Sequence, residues 1–222
     1  MDKKGVFAMK VLVVGANGQI GKQLVTLLQA SDEFSVRALV RTEEQVKAFD
    51  KIEVETVFGN LEETVEQLEV AVKGCDAVVF TAGSGGKTGY DKTLLIDLDG
   101  AVKMMEAAKN AGVERFVMVS ALQAHHRKNW NEQIKPYYVA KYYADRILVE
   151  SGLTYTIIRP GGLLNEAGTG KITVGENLGR GTIAREDVAN TIFASLKEKN
   201  VCNKSFDLVS GETSILEAVR SL

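Results

Sequence analysis

Val11-Leu12-Val13-Val14-Gly15-Ala16-Asn17-Gly18-Gln19-Ile20-Gly21 decides how the rest of this chain is read. Val11 to Val14 form an unbroken, largely β-branched apolar run, which reads as a central strand buried on both faces. Gly15, Gly18 and Gly21, at the spacing G-x-x-G-x-x-G, end that strand abruptly. Ile20, Leu24, Leu27 and Leu28 then form the apolar stripe of a helix running to Ala30. A glycine turn between a buried parallel strand and a helix N-terminus lets backbone approach a diphosphate closely, with free N–H groups and the positive end of the helix dipole facing it. The turn, with Asn17, Gln19 and Ile20 between its glycines, is therefore read as one half of a dinucleotide site.

Outward from this turn, apolar runs alternate with helical patterns to the end of the chain. Strands are predicted at Ser35–Val40, Glu53–Phe58, Asp76–Thr81, Glu114–Ser120 and Thr154–Arg159, with shorter ones at Lys171–Val174 and Ser205–Val209. The run at Asp76–Thr81 suits a central position, and the alternating polarity of Glu53–Phe58 suits one nearer an edge. Helices are predicted over Glu43–Phe49, from Leu61 to about Val72, and over Thr93–Ala111, Pro136–Glu150, Arg185–Lys197 and Ser214–Leu222, with Pro136 tolerated because it stands in a first turn. Such alternation implies an α/β fold: a doubly wound parallel sheet of Rossmann type, in one domain over residues 1–222 with a short C-terminal segment on the substrate side. Ligands of such sheets lie beyond the carboxyl ends of the strands, so the residues following each strand are where chemistry is sought. Residues 1–9, which precede the first strand, read as an N-terminal extension.

Composition narrows the possible partners. The chain is 45% hydrophobic and 25% charged with a net charge of −2, its charges interspersed, so no electrostatic footprint for nucleic acid or an acidic membrane is present. Cys75 and Cys202 form no C-x-x-C pair, which points to a reducing compartment and away from a disulfide framework or a zinc site. Without a signal-like or membrane-length apolar run, a cytoplasmic protein is expected. Its oligomeric state stays open between monomer and homodimer.

Within the expected cleft, the position about 20 residues past the glycine turn holds Arg41, where an NAD-selective site usually carries an acid. A guanidinium there can pair with a 2′-phosphate, which favours NADP. Gly83-Ser84-Gly85-Gly86-Lys87-Thr88 resembles a P-loop, but Thr81 stands where the first glycine is needed. Thr81, Ala82, Gly83 and Ser84 read instead as a small-residue floor beside the cofactor. Tyr137 and Lys141 stand at i and i+4 on a helix and point the same way, so the ammonium favours the phenolate and binds ribose hydroxyls. His125, His126 and Trp130 fall where substrate is expected, although paired histidines without a third ligand do not suggest a metal. Glu186 and Asp187, following Arg185, lie in a first helical turn and read as capping.

Taken together, Gly15-x-x-Gly18-x-x-Gly21, Thr81-Ala82-Gly83, Ser120, Tyr137-x-x-x-Lys141 and Arg159-Pro160-Gly161-Gly162-Leu163 resemble an atypical short-chain dehydrogenase/reductase of the epimerase/dehydratase-like group, over essentially the whole chain. The resemblance implies a tyrosine acid/base, Tyr137, whose pKa is lowered by Lys141, the residue that also holds the nicotinamide ribose. It implies that Ser120 orients a substrate carbonyl, the alternative being that it only caps its strand. It further implies that Pro160, Gly161, Gly162 and Leu163 lie against the nicotinamide, and that Asn60, next to Leu61, stands where the family contacts adenine. The family's relay asparagine is replaced here by Asp97. An NADP-dependent reductase acting on a small carbonyl or similar acceptor is the first expectation. An NADP-binding sensor without turnover, like NmrA-type relatives, is the second. A nucleotide-sugar epimerase or dehydratase is third, because the segment after Gly162 is short.

Overall fold

A computed structural model describes residues 8–86 and 88–222, so the reading of an N-terminal extension falls almost wholly outside the described residues, as does Lys87 of the P-loop-like run. The chain lays down a nine-stranded sheet whose strands lie side by side in the order 213–214, 171–175, 204–210, 154–160, 115–119, 77–80, 9–14, 34–40 and 55–58. Its first half is β1 (Met9–Val14), α1 (Gln19–Gln29), β2 (Phe34–Val40), α2 (Glu43–Asp50), β3 (Glu55–Phe58), α3 (Val65–Val72) and β4 (Ala77–Phe80). Its second half comprises α4 (Tyr90–Lys92), a π-helical stretch (Thr93–Gly100), α5 (Ala101–Asn110), β5 (Arg115–Val119), α6 (Lys135–Glu150) and β6 (Thr154–Pro160). After these come β7 (Gly162–Leu164), β8 (Lys171–Gly175), β9 (Thr182–Ala184), α7 (Arg185–Lys197), β10 (Lys204–Ser210), β11 (Thr213–Ser214) and α8 (Ile215–Arg220).

The strands read as central are the buried ones. Val11–Val14 and Ala77–Phe80 are fully buried and pair with each other in parallel, Val13 beside Val79. β3, with its alternating polarity, is the outer strand of its edge. Side chains alternate between two cores, one on each face of the sheet. Leu24, Leu28, Val188 and Ile192 of α1 and α7 cover Val11 and Val13, while Leu68, Met104, Met105 and Leu148 of α3, α5 and α6 cover Leu12 and Val14.

The sheet is not wholly parallel. β8 runs antiparallel to β10, and β11 antiparallel to β8. In β8 only Ile172 is fully buried between the exposed Lys171 and Thr173, the pattern of a strand with one face in water, which an antiparallel edge allows. A separate two-stranded parallel sheet, β7 with β9, stands beyond the carboxyl end of β6. The helix expected over Thr93–Ala111 is wound as a π-helix through Gly100 before becoming α-helical.

Candidate active site

The sheet order reverses between β1 and β4, and the glycine turn opens there. Gly15 has φ +85°, and a Cβ on it would come within 2.6 Å of the Ala82 backbone nitrogen. Only glycine lets the two loops lie this close. Gly18 donates its N–H to the Gly15 carbonyl at 2.9 Å and closes the turn. Gly21 contacts no ligand space. It lets α1 seat on the turn, since a Cβ would strike the Gly15 carbonyl oxygen. No side chain caps α1 and no acid stands in its first turn, so its leading N–H groups and dipole are free for an anion. This uncapped cradle fits a dinucleotide diphosphate.

A cleft of about 490 Å³ runs from this turn over the ends of β2 and β3, lined among others by Asn17, Arg41, Asn60, Leu61 and Thr81. The Arg41 guanidinium has no ion pair among the described residues, while its backbone N–H is fixed by Gln45 Oε1 at 2.8 Å. Asn60 spends its Oδ1 on the Glu62 N–H at 3.1 Å, holding the loop on which it lies. Lys92 and Glu62 close the far wall with an ion pair of 2.7 Å. Thr81 donates its hydroxyl to the Val14 carbonyl at 2.9 Å, so the small-residue floor is hydrogen-bonded to the strand beneath the turn.

The other half of the cleft, about 640 Å³, continues past Gln19, Ile20, Ala82, Gly83 and Ser84 to Ser120, Tyr137, Lys141 and Leu163. The i, i+4 spacing holds: the Lys141 ammonium lies 5.6 Å from the centre of the Tyr137 ring. Its charge is directed elsewhere, however. Lys141 and Asp97 are 3% and 1% exposed and form an ion pair of 3.1 Å. The second Asp97 oxygen accepts the Ser84 N–H at 3.0 Å, which ties the floor of the cleft to the π-helix. Burial alone would lower the Lys141 pKa, but Asp97, with Tyr137 and Asp145 adding to it, holds the ammonium above its ordinary value.

Tyr137 departs from the sequence expectation. Its pKa is raised, because burial favours the neutral phenol and the Asp97 charge adds to that effect. Lys141 pulls in the expected direction without prevailing. Ser120 is buried at the end of β5, and its hydroxyl lies beside the Asp145 carboxylate, whose ionised form it favours. Behind it Arg159 donates from Nε to Asp145 Oδ2 at 2.7 Å, both side chains buried, with burial raising the Asp145 carboxyl despite the guanidinium.

Ser120 and Tyr137 also border a second, open cavity of about 1480 Å³. Pro160, Gly161 and Gly162 line this cavity and not the cofactor cleft, because Gly161 packs against the Gly181 carbonyl and Gly162 donates to it at 2.9 Å. Only Leu163 of that segment reaches the cofactor side. Of the histidine pair, His126 lines the cavity and His125 is turned toward Asp145 and Arg159. Trp130 is a wall residue held by its indole N–H to the Ala124 carbonyl at 2.9 Å. Glu186 and Asp187 do not cap α7. They accept the N–H groups of Gly168, Thr169 and Gly170 at 2.8–2.9 Å and pin that loop.

Sequence reasoning missed Gln123 and Asp207. Asp207 is fully buried and accepts from the backbone and side chain of Gln123 and from the Leu178 N–H. No motif marks these two residues. The signal available was an acid inside the otherwise apolar strand Phe206-Asp207-Leu208.

A glycine turn at the topological switch point, an uncapped helix behind it and a cleft crossing to a tyrosine and lysine on one helix define a dinucleotide-binding protein of the Rossmann class. The NAD(P)H-binding family matches residues 15–199, and the chain belongs to it. It is 61% identical to an uncharacterized sugar epimerase, YhfK of Bacillus subtilis, over 96% of this chain and 100% of the relative. It is 30% identical to sanguinarine reductase of Eschscholzia californica, over 96% and 93% of the two chains. A solved Bacillus halodurans structure named as an NAD-dependent epimerase/dehydratase superposes with a TM-score of 0.91 at 40% identity, covering 97% of this chain and 100% of that one. Among the described residues no helix is long and apolar enough to cross a membrane, and no group of acidic, histidine or cysteine side chains is placed to hold a metal.

Proposed function

We propose that this chain is an NADP-dependent reductase of a small carbonyl or similar acceptor. The observation that carries the reading is that Tyr137 lines both the inner half of the cofactor cleft and the adjoining cavity, so one residue stands between the two reactants. When bound, the nicotinamide supplies the hydride. The Tyr137 hydroxyl donates the proton to the acceptor oxygen, and its raised pKa keeps that proton in place at neutral pH. Lys141, its charge fixed by Asp97, holds cofactor ribose hydroxyls. The free guanidinium of Arg41 at the adenosine end supports NADP over NAD.

A second reading, a cofactor-binding sensor without turnover, draws support from the Lys141–Asp97 pair, which leaves the tyrosine less activated than a freely charged lysine would. NADPH oxidation against a panel of quinones, aldehydes, ketones and flavins, run beside Tyr137→Phe, separates the two. The reductase reading expects turnover that falls by about 10²–10⁴-fold in the variant, the usual worth of a general acid, with NADPH affinity nearly unchanged. Tight NADPH binding without turnover on any acceptor rejects it in favour of the sensor.

A further inference from the structure

The wall of the large cavity carries Lys128, Arg180, Arg185 and His126, and among the described residues lining it there is no carboxylate. Arg185 is engaged, donating to the Leu163 carbonyl at 3.1 Å and to Asn165 Oδ1 at 2.7 Å. Lys128 and Arg180 are not. Both are exposed to the cavity, and neither forms an ion pair or a side-chain hydrogen bond among the described residues. In a chain with a net negative charge, two free cations facing one cavity without an acid make a local positive field.

The loops that carry these cations are not independent. Gln123, at φ +62°, donates from Nε2 to the Leu178 carbonyl at 2.7 Å and to Asp207 Oδ2 at 2.9 Å, and its Oε1 accepts from Asn129 Nδ2 at 2.7 Å. One buried side chain thus clasps the turn holding Lys128 to the loop holding Arg180, two residues from Leu178. Trp130 stacks on Tyr138 at 6.1 Å between ring centres and gives the same cavity a flat aromatic wall.

We infer that the acceptor is an anion: a planar or conjugated carbonyl compound bearing a carboxylate or phosphate, the anionic group held between Arg180 and Lys128 and the ring lying along Trp130 and Tyr138. This rests on the reading of the cavity as the substrate site. The four-residue spread of Tyr137, Tyr138, Lys128 and Arg180 around the cavity places the anion on the side away from the cofactor cleft, since Lys128 and Arg180 line only the larger cavity.

The test uses the full chain saturated with NADP⁺ and calorimetric binding of a matched set: 2-naphthoate, 2-naphthyl phosphate, 2-naphthalenemethanol and the corresponding trimethylammonium cation. At least one anion is expected to bind about tenfold or more tightly than the alcohol, as a charge-assisted hydrogen bond provides, and the cation to bind most weakly. The carboxylate and phosphate arms show which anion the site prefers. Arg180→Gln and Lys128→Gln should each cut the anion preference by roughly threefold, and the double variant should abolish it while the alcohol binds as before. Equal binding of anion and alcohol, or a preference that survives the double variant, overturns the inference. In parallel, NADPH oxidation is followed with 4-formylbenzoate and benzaldehyde. Anion binding without turnover of either aldehyde or of any acceptor in the panel would sink the reductase reading and leave the anion site standing. Turnover with no preference in binding or rate would do the reverse.

Discussion

Replacing Asp97 by asparagine restores the residue that the resembled enzymes carry at this position, yet in this structure it should be damaging. Asp97 uses both oxygens, one toward the Ser84 N–H at 3.0 Å and the other toward the Lys141 ammonium at 3.1 Å. Asparagine has one acceptor oxygen, and its NH₂ is only a donor. Whichever way the amide turns, it faces a donor with a donor. If the oxygen stays on Ser84, a buried ammonium is stranded against an NH₂. If it turns to Lys141, the Ser84 amide is orphaned and the floor of the cofactor cleft loosens.

Because Lys141 and Asp97 are 3% and 1% exposed, solvent does little to soften the loss. Breaking a buried pair from one side costs about 3–5 kcal/mol, and since the amide keeps one acceptor the lower end applies. For a chain of this size about 3 kcal/mol corresponds to a fall in Tm of roughly 6–12 °C. The Asp97→Asn, Lys141→Met double variant removes both charges and should recover more than half of that loss, while remaining inactive. Thermal melts of parent, singles and double, without cofactor, measure this directly. A single variant melting within about 2 °C of the parent, or a double variant no more stable than the worse single, would refute the argument. The pH dependence has a definite sign. Lys141 is held above its ordinary pKa, so its contribution to stability is complete below the ordinary lysine value and is lost only as pH rises through the raised one.

Three further outcomes follow from the same geometry. Arg41→Gln should weaken NADPH binding by about 10–100-fold and NADH binding by far less, and equal losses in titrations of the two would remove the 2′-phosphate argument. Gly21→Ala gains at most about 1 kcal/mol of helix propensity but puts a Cβ against the Gly15 carbonyl, so the melting temperature and NADPH affinity should both fall, and a rise in stability would contradict the packing. In the proposed reductase the neutral phenol of Tyr137, whose pKa burial raises, supplies the proton, so kcat should stay level through neutral and mildly alkaline pH and drop only above the ordinary tyrosine range. A descending limb near neutrality in kcat would show that another group supplies the proton.

The parts of the fold legible in the sequence are those whose signal is local and strong. The valine run of β1, the apolar runs of β4 and β5 and the stripes of α1 and α5 are each fixed by their own residues, and the parallel pairing of β1 to β6 follows from the alternation of strands and helices. The floor from Thr81 to Ser84, the Arg41 position and the shared face of Tyr137 and Lys141 were legible for the same reason. What escaped the sequence depends on partners far along the chain. The strands β7 and β9 are too short to carry a period and exist because Gly161 and Gly181 lie against each other. The direction of β8 is set by pairing with β10, more than 30 positions later. Spacing shows that Lys141 is near Tyr137, but not the burial that favours the neutral phenol nor the Asp97 charge that adds to it.

The π-helical stretch Thr93–Gly100 carries a consequence for how this site can change. A π turn holds one residue more than an α turn, so it is in effect an insertion absorbed inside a helix. Lengthening a surface loop would alter what meets the ligand from outside. Here the additional residue is taken up where Asp97 faces Lys141, while Ala101, Met104 and Met105 of α5 remain seated on the sheet. Shortening the stretch by one residue would rotate the preceding helix by roughly 100° relative to α5 and carry a different side chain toward the ammonium. The identity of the charge beside Tyr137 and Lys141 is thus governed by helical winding as well as by the residue at position 97.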